Sequence, residues 1–223
     1  MARVSSDQRE HLVEAGIRIL ERDGLASLSA RKLAAETGTS TMAVYTHFSG
    51  MTGLIEAIAA ETFARFTDAL TEVAETADPV ADFFLMGVHY RDFALANPQR
   101  YQMMFGTSAR SLNRHHTDLT VTGNASGHAE FAVSFDALST AVTRMIAAGR
   151  IRDDGVPAIA GRLWSISHGA VLLEMAGFFG RRGNGLNQIL APLTVDALVG
   201  MGDVRERTLR SLAAAMAVLP HSG

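Results

Sequence analysis

Eight histidines and no cysteine set the first bounds on the chemistry this chain can carry. Without cysteine there is no disulfide framework, no thiolate metal site and no thiol nucleophile. His115, His116 and Asp118, with His128 further along, are nitrogen and oxygen donors of the kind that hold a transition metal. Adjacent histidines in a polar stretch are more often unliganded, so no metal is expected. Residues 180–185, GRRGNG, have the composition of a phosphate loop, yet they follow a helical stretch where a phosphate loop opens one. A helix connector is the expected role. No Ser/His/Asp order, paired acids or metal-hydrolase spacing stands out, so neither an enzyme nor a cofactor is expected.

The chemistry left is recognition. Ser40, Thr41 and Met42 open a short helical stretch just after Gly38, and all three are small or unbranched enough to approach base edges in a major groove. Charge alone does not call for nucleic acid. The first fifty residues hold six basic side chains (Arg3, Arg9, Arg18, Arg22, Arg31, Lys32) and six acids. That leaves 14 basic and 17 acidic of the chain's 20 and 23, and a net charge of -3. Lys32 is the sole lysine, a bias attributed to genome composition. A neutral segment can still carry a local basic face.

The elements that must position these residues are helical. Strand alternation is absent, and Gly and Pro punctuate helix-length segments. A first helix is predicted from about Asp7 to Arg22, capped by Ser5 or Ser6, with Leu12, Ala15, Ile19 and Leu20 on one face and Gly24 at its end. Ser29 caps a second over Ala30 to Thr37, and Ser40 a third over Thr41 to His47, where Val44 and Phe48 would anchor it. Gly38 between them supplies the left-handed residue of a helix-turn-helix bend. Longer helices are predicted at about Met51 to Glu75, Pro79 to Ala96, Gly127 to Arg150, Pro157 to Phe179 and Pro192 to Val218, with a short one at Pro98 to Phe105. Residues 106–126 read as a polar loop. With 223 residues, 48% of them hydrophobic, the chain can bury a substantial core. No apolar run reaches the roughly 18 residues of a membrane span, and the N-terminus lacks the apolar stretch of a signal peptide. A cytoplasmic protein with no membrane partner is expected.

Residues 9–58 resemble the DNA-binding region of the TetR family of bacterial transcriptional regulators. The resemblance is carried by Ala15-Gly16, Gly24, Ser29-Ala30-Arg31-Lys32-Leu33-Ala34, Gly38, Val44-Tyr45-Thr46-His47-Phe48 and Leu54. Leu163-Trp164-Ser165-Ile166-Ser167-His168-Gly169 and Asn97 to Gly106 are similar to one C-terminal subclass of that family. The resemblance implies an all-α fold: a helix-turn-helix DNA-binding domain over 1–50, then a helical-bundle ligand-binding and dimerisation domain over 51–223. It implies a homodimer on double-stranded DNA at a palindromic operator, nucleoid-associated when bound, and released as a repressor by a small effector.

By the same resemblance, Ser29, Arg31, Tyr45 and His47 contact phosphate, with Arg31 in reach of a base, while Thr39, Ser40, Thr41 and Met42 face the groove. Plain capping by Ser29 and Ser40, a core role for Tyr45 and a solvated His47 stay open as alternatives. The family commonly has lysine or arginine where Met51 stands here, on a phosphate. Gly53 is also expected to weaken that helix start, by about 1 kcal/mol relative to alanine.

The effector pocket is expected among Phe66, Phe84, His89, Tyr90, Phe93, Tyr101, Met104, Phe105, Phe131, Phe135, Trp164 and His168. Such a Phe/Met wall with a few polar tips suits a mostly apolar ligand. Trp164 and His168, one turn apart, read first as a core pair and second as ligand-facing. Arg91, Arg100 and Arg144 are expected on outer faces. Apolar residues of the last two long helices, Leu172, Leu193 and Leu198 among them, are expected to form a four-helix dimer interface burying on the order of 2,000 Å². An all-helical small-molecule binder that has lost its operator is the alternative.

Overall fold

A computed structural model describes residues 2–105, 117–123, 129–180 and 184–219. Among them there is no strand. The helices are α1 (Ala2–Asp23), α2 (Ala30–Thr37), α3 (Thr41–Phe48), α4 (Met51–Thr71), α5 (Pro79–Ala96), α6 (Pro98–Phe105), α7 (Leu119–Thr122), α8 (Ala129–Ala147), α9 (Val156–Met175), α10 (Ala191–Gly200) and α11 (Arg205–Val218). A π-helical turn, Gly185–Leu190, leads into α10. The all-α fold read from the sequence is the fold observed.

Two compact units divide the described residues: 2–65 with 96–105, and 66–95 with 117–123, 129–180 and 184–219. Helix α4 contributes to both in turn. In the first unit Leu12, Ala15, Ile19 and Leu20 of α1 bury one stripe against Leu33, Val44, Leu54 and Ile58. Helix α6 completes this unit by packing on α1, with Tyr101, Met103 and Met104 buried. Gly16 is there for closeness: a Cβ would stand 2.5 Å from Ile58 Cδ1.

The second unit holds the end of α4, α5 and α7 to α11. Its polar centre is Arg150, which follows α8 and bonds Asp203, Asp78 and Ser211. Asp78 also accepts from Val80 N–H and Ala81 N–H, capping α5.

Several expectations need correction. Helix α1 begins at Ala2, so Ser5 and Ser6 lie inside it rather than capping it. The predicted helix from Pro192 to Val218 is two, because Gly202 takes φ 116° and Asp203 turns inward to Arg150. Asp118, in the stretch read as loop, caps α7 by accepting from Thr120 N–H at 2.9 Å. Helix α9 does pass for a membrane span by length and composition, since its most apolar window holds so few charges. Its Ile159, Ala160, Leu163, Ala170 and Val171 are nevertheless buried within the unit, while Leu172 and Leu173 face out.

Candidate functional site

The turn from α2 to α3 is built from local chemistry. Ser29 has extended backbone and its hydroxyl accepts from Lys32 N–H at 3.3 Å, so the capping role holds there. Gly38 takes the left-handed conformation at φ 67° and closes α2. Ser40 occupies the cap position of α3, but its side chain makes no cap bond; only its carbonyl accepts, from Ala43 N–H. Val44 and Phe48 are buried against α1 and α2, which fixes the rotation of α3. That rotation leaves Ser40, Thr41, Met42, Tyr45 and Thr46 outward, with Met42 68% and Tyr45 57% exposed. Tyr45 is therefore no core aromatic.

The flanking charges are largely committed. Lys32 Nζ pairs with Asp23 at 2.8 Å, and Arg22 bridges Asp23 and Glu36. The Lys32 bond is the main reason the Asp23 carboxyl sits below its ordinary value. Arg31 is exposed and forms no ion pair among the described residues. His47 is half-buried with Nε2 3.3 Å from Gln8 Oε1, which ties the end of α3 to α1. Thr39 is half-buried with its hydroxyl 2.8 Å from that of Thr37. Met51 is half-buried and packs against the core. The sequence reading missed Arg9, whose guanidinium lies 5.1 Å above the Phe48 ring and covers the α3 anchor from the α1 side.

The second unit carries an aromatic cluster from four helices. Phe66 of α4 meets Tyr90 and Phe93 of α5, each at 5.2 Å between ring centres. From α9, Trp164 Nε1–H donates to Tyr90 Oη at 3.3 Å, and His168 Nδ1 is hydrogen-bonded to the same oxygen at 3.4 Å. Phe135 of α8 stands edge-on to Trp164 at 6.1 Å. Burial lowers the His168 pKa and favours its neutral imidazole. Two χ-angle side chains at one-turn spacing and a shared tyrosine oxygen thus produce a polar chain inside an apolar shell.

The remaining residues assigned to the pocket do not all join this cluster. His89 Nδ1–H donates to Ala69 O at 2.9 Å and ties α5 to α4. Phe84 lines a separate narrow crevice with Phe83, Gly87, Leu186 and Thr194. Phe131 is buried near the start of α8. Tyr101, Met104 and Phe105 belong to the first unit, where Phe105 packs on Tyr101 and Phe63 at 4.9 and 5.8 Å. Helix α6 packs on α1 and so carries these three into the first unit, a packing choice invisible in composition.

The arginines expected on outer faces are not there. Arg91 grips Glu174 through two bonds of 2.8 and 2.6 Å, with side chains 11% and 8% exposed. Arg144 Nη2 pairs with buried Asp82 at 2.8 Å, and Arg100 Nε with Glu21 at 2.8 Å. Of the metal-donor candidates, His115, His116 and His128 lie outside the described residues. Among the described residues no group of His, Asp and Glu is arranged to hold a metal ion.

A capped helix-turn-helix with an outward third helix, joined to a helical bundle with an aromatic interior, defines a helix-turn-helix transcriptional regulator. Residues 12–58 match the family described as bacterial regulatory proteins, tetR family, and residues 83–198 the tetracyclin repressor-like C-terminal domain. The chain belongs to the TetR family of transcriptional regulators, whose members bind DNA and small-molecule ligands and act as dimers. It is 32% identical over 123 residues to HdnoR, the nicotine-responsive HTH-type transcriptional repressor of Paenarthrobacter nicotinovorans, a match covering 52% of this chain and 61% of that one. The chain thus spans less than two thirds of that relative. A solved protein of unknown function from Rhodococcus sp. RHA1 superposes with TM-score 0.70 at 26% identity, over 88% of this chain and 96% of the other. RolR in complex with resorcinol superposes over the whole of both chains with TM-score 0.65 at 13% identity, a likeness of fold.

Proposed function

We propose that this chain is a homodimeric repressor that reads a palindromic operator and is released by a small, mostly apolar effector. The observation that carries the DNA reading is α3 itself: Val44 and Phe48 hold it down while Ser40, Thr41, Met42 and Tyr45 stay outward. Paired in a dimer, two such helices reach successive major grooves at half-sites about 34 Å apart. Thr39 lines the same turn, and Ser29, Arg31 and His47 flank it as backbone contacts. Outward Leu172, Leu173, Ile189 and Leu193 support an apolar partner surface for a second copy.

The effector reading rests on the Phe66, Tyr90, Phe93, Phe135, Trp164 and His168 cluster. Aromatic faces with a few polar tips favour a ligand bearing one or two hydrogen-bonding groups. The Paenarthrobacter relative is nicotine-responsive by name, which supports a small organic molecule. Release requires the effector to bind the DNA-free conformation more tightly than the DNA-bound one.

Genome-wide footprinting of the purified protein tests this, followed by ligand screening on the protected duplex. The expected result is a protected palindrome whose affinity falls with salt, and its release by an apolar compound. Absence of any protected site would favour the small-molecule binder without an operator. A screen in which only polyanionic metabolites raise the melting temperature would remove the apolar effector.

A further inference from the structure

The outward surface of the α2–α3 turn and of α3 is made of Ser40, Thr41, Met42, Tyr45, Thr46 and Ser49. None of these is Arg, Lys, Asn, Gln, Asp or Glu. Those six are the side chains that donate twice to a guanine edge, pair doubly with an adenine edge, or accept from the cytosine amine. His47, the one ring nitrogen donor nearby, is half-buried and bonded to Gln8.

The hydroxyls narrow the choice further. Thr37 Oγ1 donates to Leu33 O at 2.9 Å, and the Thr39 hydroxyl is 2.8 Å from that of Thr37. Thr46 Oγ1 donates back along its own helix to Met42 O at 3.0 Å. Three of the threonine hydroxyls at this tip are therefore engaged within the protein. Met42, in the first turn of α3 and 68% exposed, is the aliphatic side chain presented there, with Tyr45 one turn further along. An unbranched thioether adapts its shape to a methyl-sized partner. In the major groove the one apolar feature of a base edge is the thymine C5-methyl.

We infer that this recognition helix reads its operator chiefly through thymine C5-methyl groups, with Met42 as the reader and the Thr41 methyl beside it. This rests on the DNA-binding function proposed above. Specificity then follows contact with methyl groups, and the half-sites carry thymine at the positions facing the first turn of α3. In this reading Arg31, on α2 and exposed, contacts phosphate and carries none of the discrimination.

The test begins with selection of duplexes from a random-core library by the full-length protein. In the selected duplex each thymine is then replaced by uracil, which deletes only the methyl, and each cytosine by 5-methylcytosine, which adds one. Equilibrium affinity is measured for the native chain, Met42→Ala and Arg31→Ala. Thermal unfolding of Met42→Ala is expected to match the native chain, because the side chain is exposed. One uracil per half-site should weaken native binding by about fourfold per methyl, the contribution of about one buried carbon. In Met42→Ala that loss should shrink below twofold, while Arg31→Ala should keep it and lower affinity for all sequences. Equal affinity for thymine and uracil duplexes overturns the inference, and so does a uracil effect that persists undiminished in Met42→Ala. A selected guanine whose preference vanishes only with Arg31→Ala also overturns it. Selection of no duplex at all overturns the DNA-binding function itself; tight specific binding indifferent to the methyl overturns only the readout by Met42.

Discussion

Arg150 holds Asp203 at two points, Nε donating to Oδ1 at 2.9 Å and Nη2 to Oδ2 at 2.7 Å, with both side chains 2% exposed. Burial by itself raises the Asp203 pKa, but the Arg150 and Thr208 bonds outweigh it and the carboxyl sits below its ordinary value. A carboxyl with a lowered folded pKa stabilises the fold above its unfolded pKa of about 3.9, and that contribution is lost as pH falls through the folded value. Arg150→Met leaves a buried charge without its partner and should cost about 3–5 kcal/mol in urea unfolding. Adding Asp203→Leu to Arg150→Met should recover much of that loss. An unchanged midpoint in the single variant would mean the pair does not hold the second unit.

His168 gives a second loss of stability on acidification, this one set by burial. Its folded pKa is lowered by burial, so the unfolded chain binds the extra proton first as pH falls. The stability this residue contributes is full above the unfolded value of about 6.5 and is lost below it. Melting temperature should therefore fall as pH drops below about 6.5 in the native chain, and fall less in His168→Phe. Identical pH profiles for the two proteins would remove His168 as the cause.

Gly53 sets sterics against propensity. Helix propensity alone favours Gly53→Ala by about 1 kcal/mol. A Cβ there would stand 1.9 Å from the carbonyl oxygen of Phe48, so α4 could not start where it does. The substitution should destabilise the first unit by about 1–3 kcal/mol, the usual range for forced overpacking. Thermal unfolding of Gly53→Ala reads the sign directly.

Salt dependence tests the backbone contacts. Arg31 is the clearest uncommitted cation beside α3, since Lys32 is paired with Asp23. At about -0.9 per charged contact, one Arg31 per subunit should give the dimer a slope of log K against log salt of roughly -2. Met51→Lys keeps an aliphatic stem on the core where Met51 packs and extends an ammonium outward. It should steepen the slope by about 2 per dimer and tighten binding to all sequences alike. An unchanged slope would mean the start of α4 does not meet the DNA backbone.

What the sequence made legible were the features written locally. Ser29, Gly38, Pro79 and Pro98 mark the ends of α2, α5 and α6 because capping and ring constraints act within a few residues. The Trp164–His168 spacing likewise put both rings on one face. What escaped were choices made by distant partners. Asp203 breaks the predicted last helix because Arg150 reaches it across 53 positions, and Arg91 turns inward because Glu174 lies 83 positions away. Composition grouped Tyr101, Met104 and Phe105 with the effector pocket, whereas packing of α6 on α1 assigns them to the first unit. Those pairings join positions too far apart for local spacing to reveal.

Trp164 is the only tryptophan in the chain, and its indole N–H is bonded inside the aromatic cluster. Ultraviolet light absorbed by indole alone therefore interrogates one place in the protein. Its emission reports the polarity around Tyr90 and His168, with no dye attached and no second fluorophore of its kind to subtract. Any molecule that displaces the Tyr90 bond shifts that emission, so the chain carries an optical gauge of the place proposed above for the effector.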